Sequence, residues 1–342
     1  MDELDLLKRF REDMPILNAE ELDQARITIA GRISKTGSHR RSPRSTRLRQ
    51  RLTLAATLAA ALALALAVPA ILGGPGGADP AAAAALRHVA RVAANQPTVA
   101  PPGPGQYVYT KSVGTQYVTE TPGGGLGDFL YGVPEIRKAW IGTDGSGRLD
   151  QTLGQITFPT PADRAAWVAA GSPDLQGATD PGNQTFAPGD LHFLDLSGLP
   201  TDPVELQALV EQRVIEGGPP GDWETFALLG DMLRETYASP DLRGAVYDIA
   251  ANLPGVEFVG KTTDALGRAG IGVAYTHGGT KDELIFNPKN SALLGESTVI
   301  VDPSQLGNGG MGPVGPAGSV LYSMVFLDSA VVDSTHALSG SA

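Results

Sequence analysis

The sequence predicts an α+β protein with one transmembrane helix and an extracytoplasmic domain in which helices cover a curved antiparallel sheet. Three observations support this prediction: an uncharged apolar run at residues 52–72, three consecutive capped helices within residues 201–254, and β-rich segments bounded by turn residues on both sides of them. The 342 residues are enough for one substantial core or two small ones.

The apolar run at residues 52–72 reads LTLAATLAAALALALAVPAIL and contains no charged side chain. A helix of about 21 residues is roughly 31 Å long, close to the thickness of the hydrocarbon core of a bilayer. We therefore predict a single-pass helix in contact with the lipid bilayer. The Ala-Val-Pro-Ala sequence at residues 67–70 also resembles a signal-peptidase site, so removal of a long signal segment is the alternative.

Charge divides the chain into a basic arm and an acidic body. Residues 1–51 contain about 12 basic and about 8 acidic side chains, and the remainder contains about 14 and about 29. Residues 32–51 alone hold about eight Lys and Arg and no acidic residue. Contact with nucleic acid is one interpretation of this run, but we favour the positive-inside signal that flanks a membrane span. The arm is then cytoplasmic, the body lies outside the cell membrane, and no nucleic acid is expected as a partner.

The arm itself contains two short helical patterns, with apolar stripes at residues 4–10 and 22–33. Helices of this length are not stable alone in water. We therefore expect a cytoplasmic protein partner to cover them.

After the span, residues 73–105 are predicted to be a linker that contains one short helix capped by Asp79 and Pro80. Residues 106–333 form the folded domain and residues 334–342 a loose tail. The first part of the domain is predicted to be strands: one bent strand or a hairpin at residues 106–120, and single strands at 135–142 and 149–158, with the DGSGR turn (144–148) before the last. A short helix with Trp167, a loop at 171–190 and a brief strand at 191–196 follow.

The middle of the domain is predicted to be helical and its last part a β-meander. Helices begin at Pro203, Asp222 and Pro240, each with an apolar stripe. Four strands follow between residues 256 and 301, and residues 319–333 form a long apolar last strand. Apolar strand residues such as Val256, Phe258 and Val273 should face the helices.

Several segments carry a resemblance to known proteins: MDELDLLKRFREDMP at the start, the basic stretch before the span, DGSGR, LPTDP (199–203), LRGAVYDIAANLPGV (242–256) and DELIFNPKNSALLGE (282–296). In these segments the chain resembles an actinobacterial family of single-pass membrane proteins that is known by a locus tag. That family implies no catalytic residue. The meander with its Phe-Asn-Pro-Lys-Asn turn is also similar to lipoprotein-carrier folds, a class that includes extracytoplasmic regulators of sigma-factor pathways. This second resemblance implies a sigma factor as the cytoplasmic partner.

No residue is predicted to be catalytic, to bind a cofactor or to bind a metal. The chain has no cysteine, and its histidines lack metal-ligand spacing: His39, His88, His192, His277 and His336. Asp144, Ser146 and Asp150 alternate like calcium ligands, but a solvated hairpin turn explains them better. A set of strand aromatics could line a cavity, although such residues usually belong to the core: Tyr107, Tyr109, Trp140, Phe158 and Phe286.

Taken together, these patterns favour a non-enzymatic envelope sensor or regulator with an extracytoplasmic recognition domain. The alternative is a carrier-like module that holds a lipid or another apolar ligand, and a hydrolase has the least support. A deep apolar cavity under the helices would favour the carrier. A filled core, together with an apolar stripe on residues 1–33, would favour the regulator.

Overall fold

A computed structural model gives the structure of the chain and describes residues 77–98, 100–121, 125–175, 183–190, 196, 198–217, 221–234, 237–306 and 315–338. Within these ranges, no helix combines the length and the apolar character needed to cross a bilayer. The predicted span (52–72) and arm (1–51) lie outside the described residues, so both stay predictions.

Nine strands form one antiparallel sheet in the described part of the chain. They are β1 (Tyr107–Thr121), β2 (Gly125–Gly142), β3 (Gly147–Leu153), β4 (Gln184–Phe186), β5 (Val256–Thr263), β6 (Ala269–His277), β7 (Thr280–Phe286), β8 (Leu293–Ile300) and β9 (Val320–Val332). Their order in the sheet is β4–β3–β2–β1–β9–β8–β7–β6–β5. The predicted α+β class and its antiparallel sheet are confirmed.

The last strand of the chain lies in the centre of the sheet. β9 pairs with β1 on one side and with β8 on the other, so it joins the N-terminal strands to the C-terminal meander. Met324 and Val325 are adjacent, so their side chains leave opposite faces of the strand, and both are buried. Burial on both faces explains the long apolar sequence of this strand.

Five helices are described: α1 (Pro80–Ala94), α2 (Pro161–Ala169), α3 (Pro203–Gly217), α4 (Asp222–Asp231) and α5 (Pro240–Ala250). Proline occupies the first turn where its missing N–H is not needed. The Asp79 carboxylate accepts a hydrogen bond from the Ala81 amide at 2.7 Å, and the Ser239 hydroxyl accepts one from the Leu242 amide at 3.2 Å. These contacts fix the helix starts that the sequence predicts.

The main core lies between helices α1, α3, α4 and α5 and the strands of the meander. At its centre the Tyr247 hydroxyl donates to the Ser291 carbonyl oxygen at 2.5 Å, and the Tyr247 ring meets Phe286 edge-on at 5.0 Å between centroids. The helices contribute buried side chains of several shapes, which fill the space against the strands: Leu206, Val210, Phe226, Leu229, Met232, Val246 and Ile249.

Helix α1 packs into this core although the sequence places it in a linker. The Asp79 amide donates to the Val256 carbonyl oxygen at 2.9 Å, which ties the helix start to β5. Small residues let α1 approach α5 closely: a Cβ added at Gly244 would lie 3.6 Å from the Ala90 carbonyl oxygen. The alanine side chains of α1 therefore form a packing surface in the core, although the sequence assigns them to a linker.

Two hairpin turns follow the sequence prediction. In the DGSGR turn the Gly142 amide donates to the Ser146 carbonyl oxygen at 2.8 Å, which closes the β2–β3 hairpin. Between β6 and β7 the two turn residues, Gly278 and Gly279, have φ of 54° and 89°. A two-residue hairpin turn with positive φ at both positions suits glycine best.

Three strand predictions need comment. Phe258 is 40% exposed and Val259 38% exposed, so the expectation that Phe258 faces the helices is wrong. β5 is an edge strand, and its pairing with β6 shifts register between Phe258 and Gly260, which turns the chain there. β4 forms within the predicted loop at residues 171–190. The predicted strand at 191–196 lies outside the described residues except for Leu196.

One side chain from a turn at the edge of the sheet bonds to two of its inner strands. Arg268, in the turn between β5 and β6, donates from Nη2 to the carbonyl oxygens of Leu294 in β8 and Phe326 in β9, at 2.7 and 2.8 Å. In the sheet order β6 is separated from β9 by β7 and β8. The end of the sheet must therefore curl for this turn to reach the central strand.

The filled core leads to a stability prediction. Replacing Phe226 by Ala removes a ring that is 3% exposed and packs against Tyr275, and it should lower the free energy of unfolding by about 3–5 kcal/mol. Val204→Ala, at a position 77% exposed on α3, is the control and should change little. Chemical denaturation of the full-length chain measures both. A loss below about 1 kcal/mol for Phe226→Ala would contradict a filled core.

Candidate functional site

The histidines do not form a metal site in the described residues, where no group of three potential ligands occurs. His39 and His192 lie outside those residues, and His88 is exposed on α1. His277 stacks on the Trp223 ring at 5.0 Å between centroids. Nδ1 of His336 lies 2.6 Å from an Arg148 nitrogen.

The Asp144, Ser146 and Asp150 set forms a hairpin turn rather than a cation loop. Both Asp150 oxygens accept from Arg148, at 2.7 and 2.6 Å, so this carboxylate is engaged elsewhere. Hydrogen bonds from the Ser146 hydroxyl and amide lower the pKa of Asp144. Such contacts are typical of a solvated Asx turn.

The candidate aromatics pack in separate clusters. Tyr109 and Trp140 are buried with ring centroids 5.2 Å apart, and Tyr107 packs against the same cluster. The ring centroids of Phe158 and Trp167 are 5.3 Å apart, in a cluster under α2. Phe286 belongs to the main core. These aromatic side chains pack the sheet and the helices against it.

A cleft lies between the α4–α5 connection and strands β8 and β9. Its volume is about 480 Å³, within the range of small-molecule sites. One wall is formed by the end of α4 and the start of α5, and the other by the β7–β8 turn and the two strands. Its lining combines apolar side chains with three arginines: Leu233, Tyr237, Leu293, Leu294, Phe326 and Ala292, with Arg234, Arg243 and Arg268.

Two of these arginines are neutralised by carboxylates. Arg268 donates from Nε to the buried Asp264 at 2.6 Å, besides its two strand carbonyls. Arg234 donates from Nε to the buried Glu296 at 2.6 Å and also contacts Asp231. Charge-assisted bonds of this kind hold a guanidinium in one orientation. These two side chains form fixed, electrically balanced parts of the wall.

The third arginine differs from the other two. Arg243 donates from Nη1 to the Ala238 carbonyl oxygen at 3.1 Å, and no carboxylate of the described residues forms an ion pair with it. Its Nε is buried and finds no hydrogen-bond partner in the part of the chain that the structure describes. Burial raises the pKa of Tyr237, and the charge of Arg243 opposes that rise. Among the described residues, Arg243 is thus the arginine of the cleft wall without a paired carboxylate.

A second, smaller cavity of about 150 Å³ lies between α4 and strands β7 and β8, and Arg234 lines both cavities. Here Asp282 accepts from the Trp223 indole at 2.8 Å and from the Thr298 hydroxyl at 2.6 Å. Glu296 accepts from Arg234, and from the Tyr322 hydroxyl at 2.9 Å.

The carboxylates of this smaller cavity anchor α4. Each oxygen of Asp282 and Glu296 accepts a hydrogen bond, from a residue of α4 or its end or from a neighbouring strand. Burial raises the pKa of Glu296, while Arg234 and Tyr322 oppose that rise. A raised carboxyl pKa also occurs in general acids. In Glu296, however, both oxygens already accept hydrogen bonds: one from Arg234, just after α4, and one from Tyr322 of the neighbouring strand β9.

Sequence reasoning missed all three arginines of the cleft, because arginine carries no signature of a site unless its partners are known. Two segments that carry the family resemblance contribute to the lining nevertheless. Arg243 belongs to the segment 242–256, and Asn287, Asn290 and Leu293 belong to 282–296. The overlap of these two segments with the cleft lining is the feature of the sequence that could have pointed to the site.

No family model matches the chain, and no curated protein matches it. Among solved structures, the chain is similar to one described as the crystal structure of MucB, at 10% identity and a TM-score of 0.24, covering 77% of this chain and 62% of that one. It is also similar to the complex structure of Pseudomonas aeruginosa MucA/MucB, at 11% identity and a TM-score of 0.22, covering 74% and 58%. The chain thus spans less than two thirds of either structure. Likeness at this level carries no functional conclusion.

The buried Glu296 leads to a prediction about pH. Because its pKa is raised in the folded protein, its contribution to stability is complete below the unfolded value of about 4.5 and is lost as pH rises through the folded value. The free energy of unfolding of the native protein minus that of Glu296→Gln should therefore fall as pH rises from about 4.5.

Denaturant titrations of the full-length chain at several pH values measure this difference. Glu257→Gln, at an exposed position of β5, is the matched control for loss of one acidic side chain. A difference that instead grows with pH would show that the Arg234 ion pair outweighs the cost of burying Glu296.

Proposed function

We propose that the protein is a non-enzymatic regulator in the cell membrane, in which an extracytoplasmic domain recognises a ligand and a cytoplasmic arm binds a protein partner. The observation that carries this proposal is the cleft beside α5, where a cavity of about 480 Å³ contains an arginine that forms no ion pair with a carboxylate of the described residues. A fixed cavity with a few directed polar groups and apolar walls is the usual form of a recognition site.

The packing of the domain supports recognition more than carriage of a purely apolar molecule. Phe226, Leu229 and Phe286 are buried together under the helices, so the space where an apolar ligand would lie is filled by side chains. In the cleft, an uncharged apolar ligand would take Arg243 further out of water without a partner for its charge. A carrier function keeps support only from the apolar part of the cleft wall, formed by Leu233 and Phe326 among others.

The sequence predicts how the ligand-binding domain is connected to the cytoplasmic partner. Residues 52–72 would cross the membrane once, with the basic flank keeping residues 1–51 inside and the domain outside. The apolar stripes of residues 4–10 and 22–33 need a covering protein. The resemblance to extracytoplasmic regulators suggests a sigma factor for this role. Binding of a ligand in the cleft would change how the arm binds the sigma factor.

Co-purification from native membranes tests this function. The full-length chain, tagged after Ala342 and cross-linked in cells, should recover a sigma factor that mass spectrometry identifies. Deletion of residues 1–33 should abolish recovery. Ala292→Trp fills the cleft, because Ala292 lines it, and should change the recovered amount several-fold. Val204→Trp, at an exposed position, is the control and should leave recovery unchanged.

Two outcomes would count against the proposal. Recovery of the same proteins without residues 1–33 would leave the arm as a signal for membrane topology only. Recovery that depends on the arm but not on Ala292→Trp would separate partner binding from the cleft.

A further inference from the structure

The positive charge of the cleft indicates what kind of ligand it takes, if the cleft is the recognition site proposed above. Arg234 and Arg268 are each bound to a buried carboxylate, Glu296 and Asp264. Asp328 is the acidic residue of the lining, and its cross-strand partner is Lys111. Arg243 remains as the cation without an acidic partner among the described residues.

The hydrogen bonds of Arg243 leave one terminal nitrogen of its guanidinium without an acceptor among the described residues. Nη1 is held by the Ala238 carbonyl oxygen, and Nε is buried, out of reach of a ligand in the cleft. Nη2 remains. A guanidinium nitrogen donates charge-assisted hydrogen bonds to the oxygens of a carboxylate or phosphate, so an anionic group in the cleft would bond to Nη2.

The rest of the lining selects against a simple inorganic anion. Leu233, Leu293 and Phe326 present apolar surface next to Arg243, and a small ion would leave that surface uncovered. An uncharged apolar molecule would cover it and leave Arg243 unmatched. A molecule that combines an acidic group with an apolar chain satisfies both parts of the site.

We propose that the cleft binds a small amphipathic acid, with a carboxylate or phosphate ester at Nη2 of Arg243 and an apolar chain along Leu233, Leu293 and Phe326. The carboxylate and the phosphate ester share the chemistry that Arg243 recognises. Separate arms of the experiment distinguish them.

Calorimetric titration of the full-length chain in non-ionic detergent tests this inference, with empty micelles as the blank. The probes share one chain and differ in the head group: octanoate, octyl phosphate, 1-octanol and octylammonium. At least one acid should bind ten-fold or more tightly than 1-octanol, and octylammonium should bind most weakly. The acid that binds identifies carboxylate or phosphate as the preferred group.

Variants at position 243 give the second comparison. Arg243→Gln should weaken acid binding at least ten-fold and leave 1-octanol unchanged, while Arg243→Lys should recover part of the loss because it keeps the charge without the planar guanidinium. Arg91→Gln, exposed on α1, is the matched control and should bind as the native chain does.

Equal affinity for acids and alcohol, or acid binding that Arg243→Gln leaves within two-fold, would overturn the inference. The comparison of the four probes uses the native chain, so it tests the inference even if a variant does not fold. The titration involves neither the arm nor a partner. If the acids do not bind in the titration but sigma-factor recovery still changes in Ala292→Trp, the proposed ligand class is wrong and the proposed function stands. If the acids bind but no sigma factor is recovered, the ligand class stands and the proposed function is wrong.

Discussion

The Arg268 side chain holds together the part of the domain on which the candidate site depends. It binds Asp264 within its own turn and the Leu294 and Phe326 carbonyl oxygens of strands β8 and β9. These contacts join the edge of the sheet to its centre and place β8 and β9 as one wall of the cleft. Strand carbonyls that face away from a ladder need donors when they are shielded from water, and the guanidinium supplies two of them. Arg268 therefore belongs both to the contacts that tie the sheet edge to its centre and to the lining of the cleft.

Helix α4 separates a well-packed region from an open one. Its Phe226 and Leu229 fill the core, while Trp223 and the neighbouring Arg234 bind Asp282 and Glu296 at the sheet surface. The polar anchors fix the helix along its length, so the cleft beyond its end is a feature of the fold. Burial of Glu296 costs stability that the apolar core offsets. A domain built this way has a cavity beside a packed interior, which suits recognition of a ligand by shape and charge.

The sequence predicts the local structure well and the site poorly, for physical reasons. Proline and cap residues mark the starts of α1 and α5, and glycine pairs mark the β6–β7 hairpin, because these signals act within a few residues. The central place of β9 and the role of Arg268 depend on contacts between distant segments. Two turns, DGSGR (144–148) and DALGR (264–268), share an Asp-x-x-Gly-Arg pattern. Their arginines nevertheless differ in partner: Arg268 binds Asp264, the first residue of its own pattern, whereas Arg148 binds Asp150 outside it. The predicted span and arm, residues 1–72, await a structural test.

The most direct test of the central claim, that the cleft is an occupied recognition site, is native mass spectrometry of the full-length chain released gently from its own membranes. The account predicts a bound non-protein acid in the native chain and its loss in Ala292→Trp, which fills the cleft. Detection of the polypeptide mass alone in the native chain, or of the same bound species in Ala292→Trp, would contradict it.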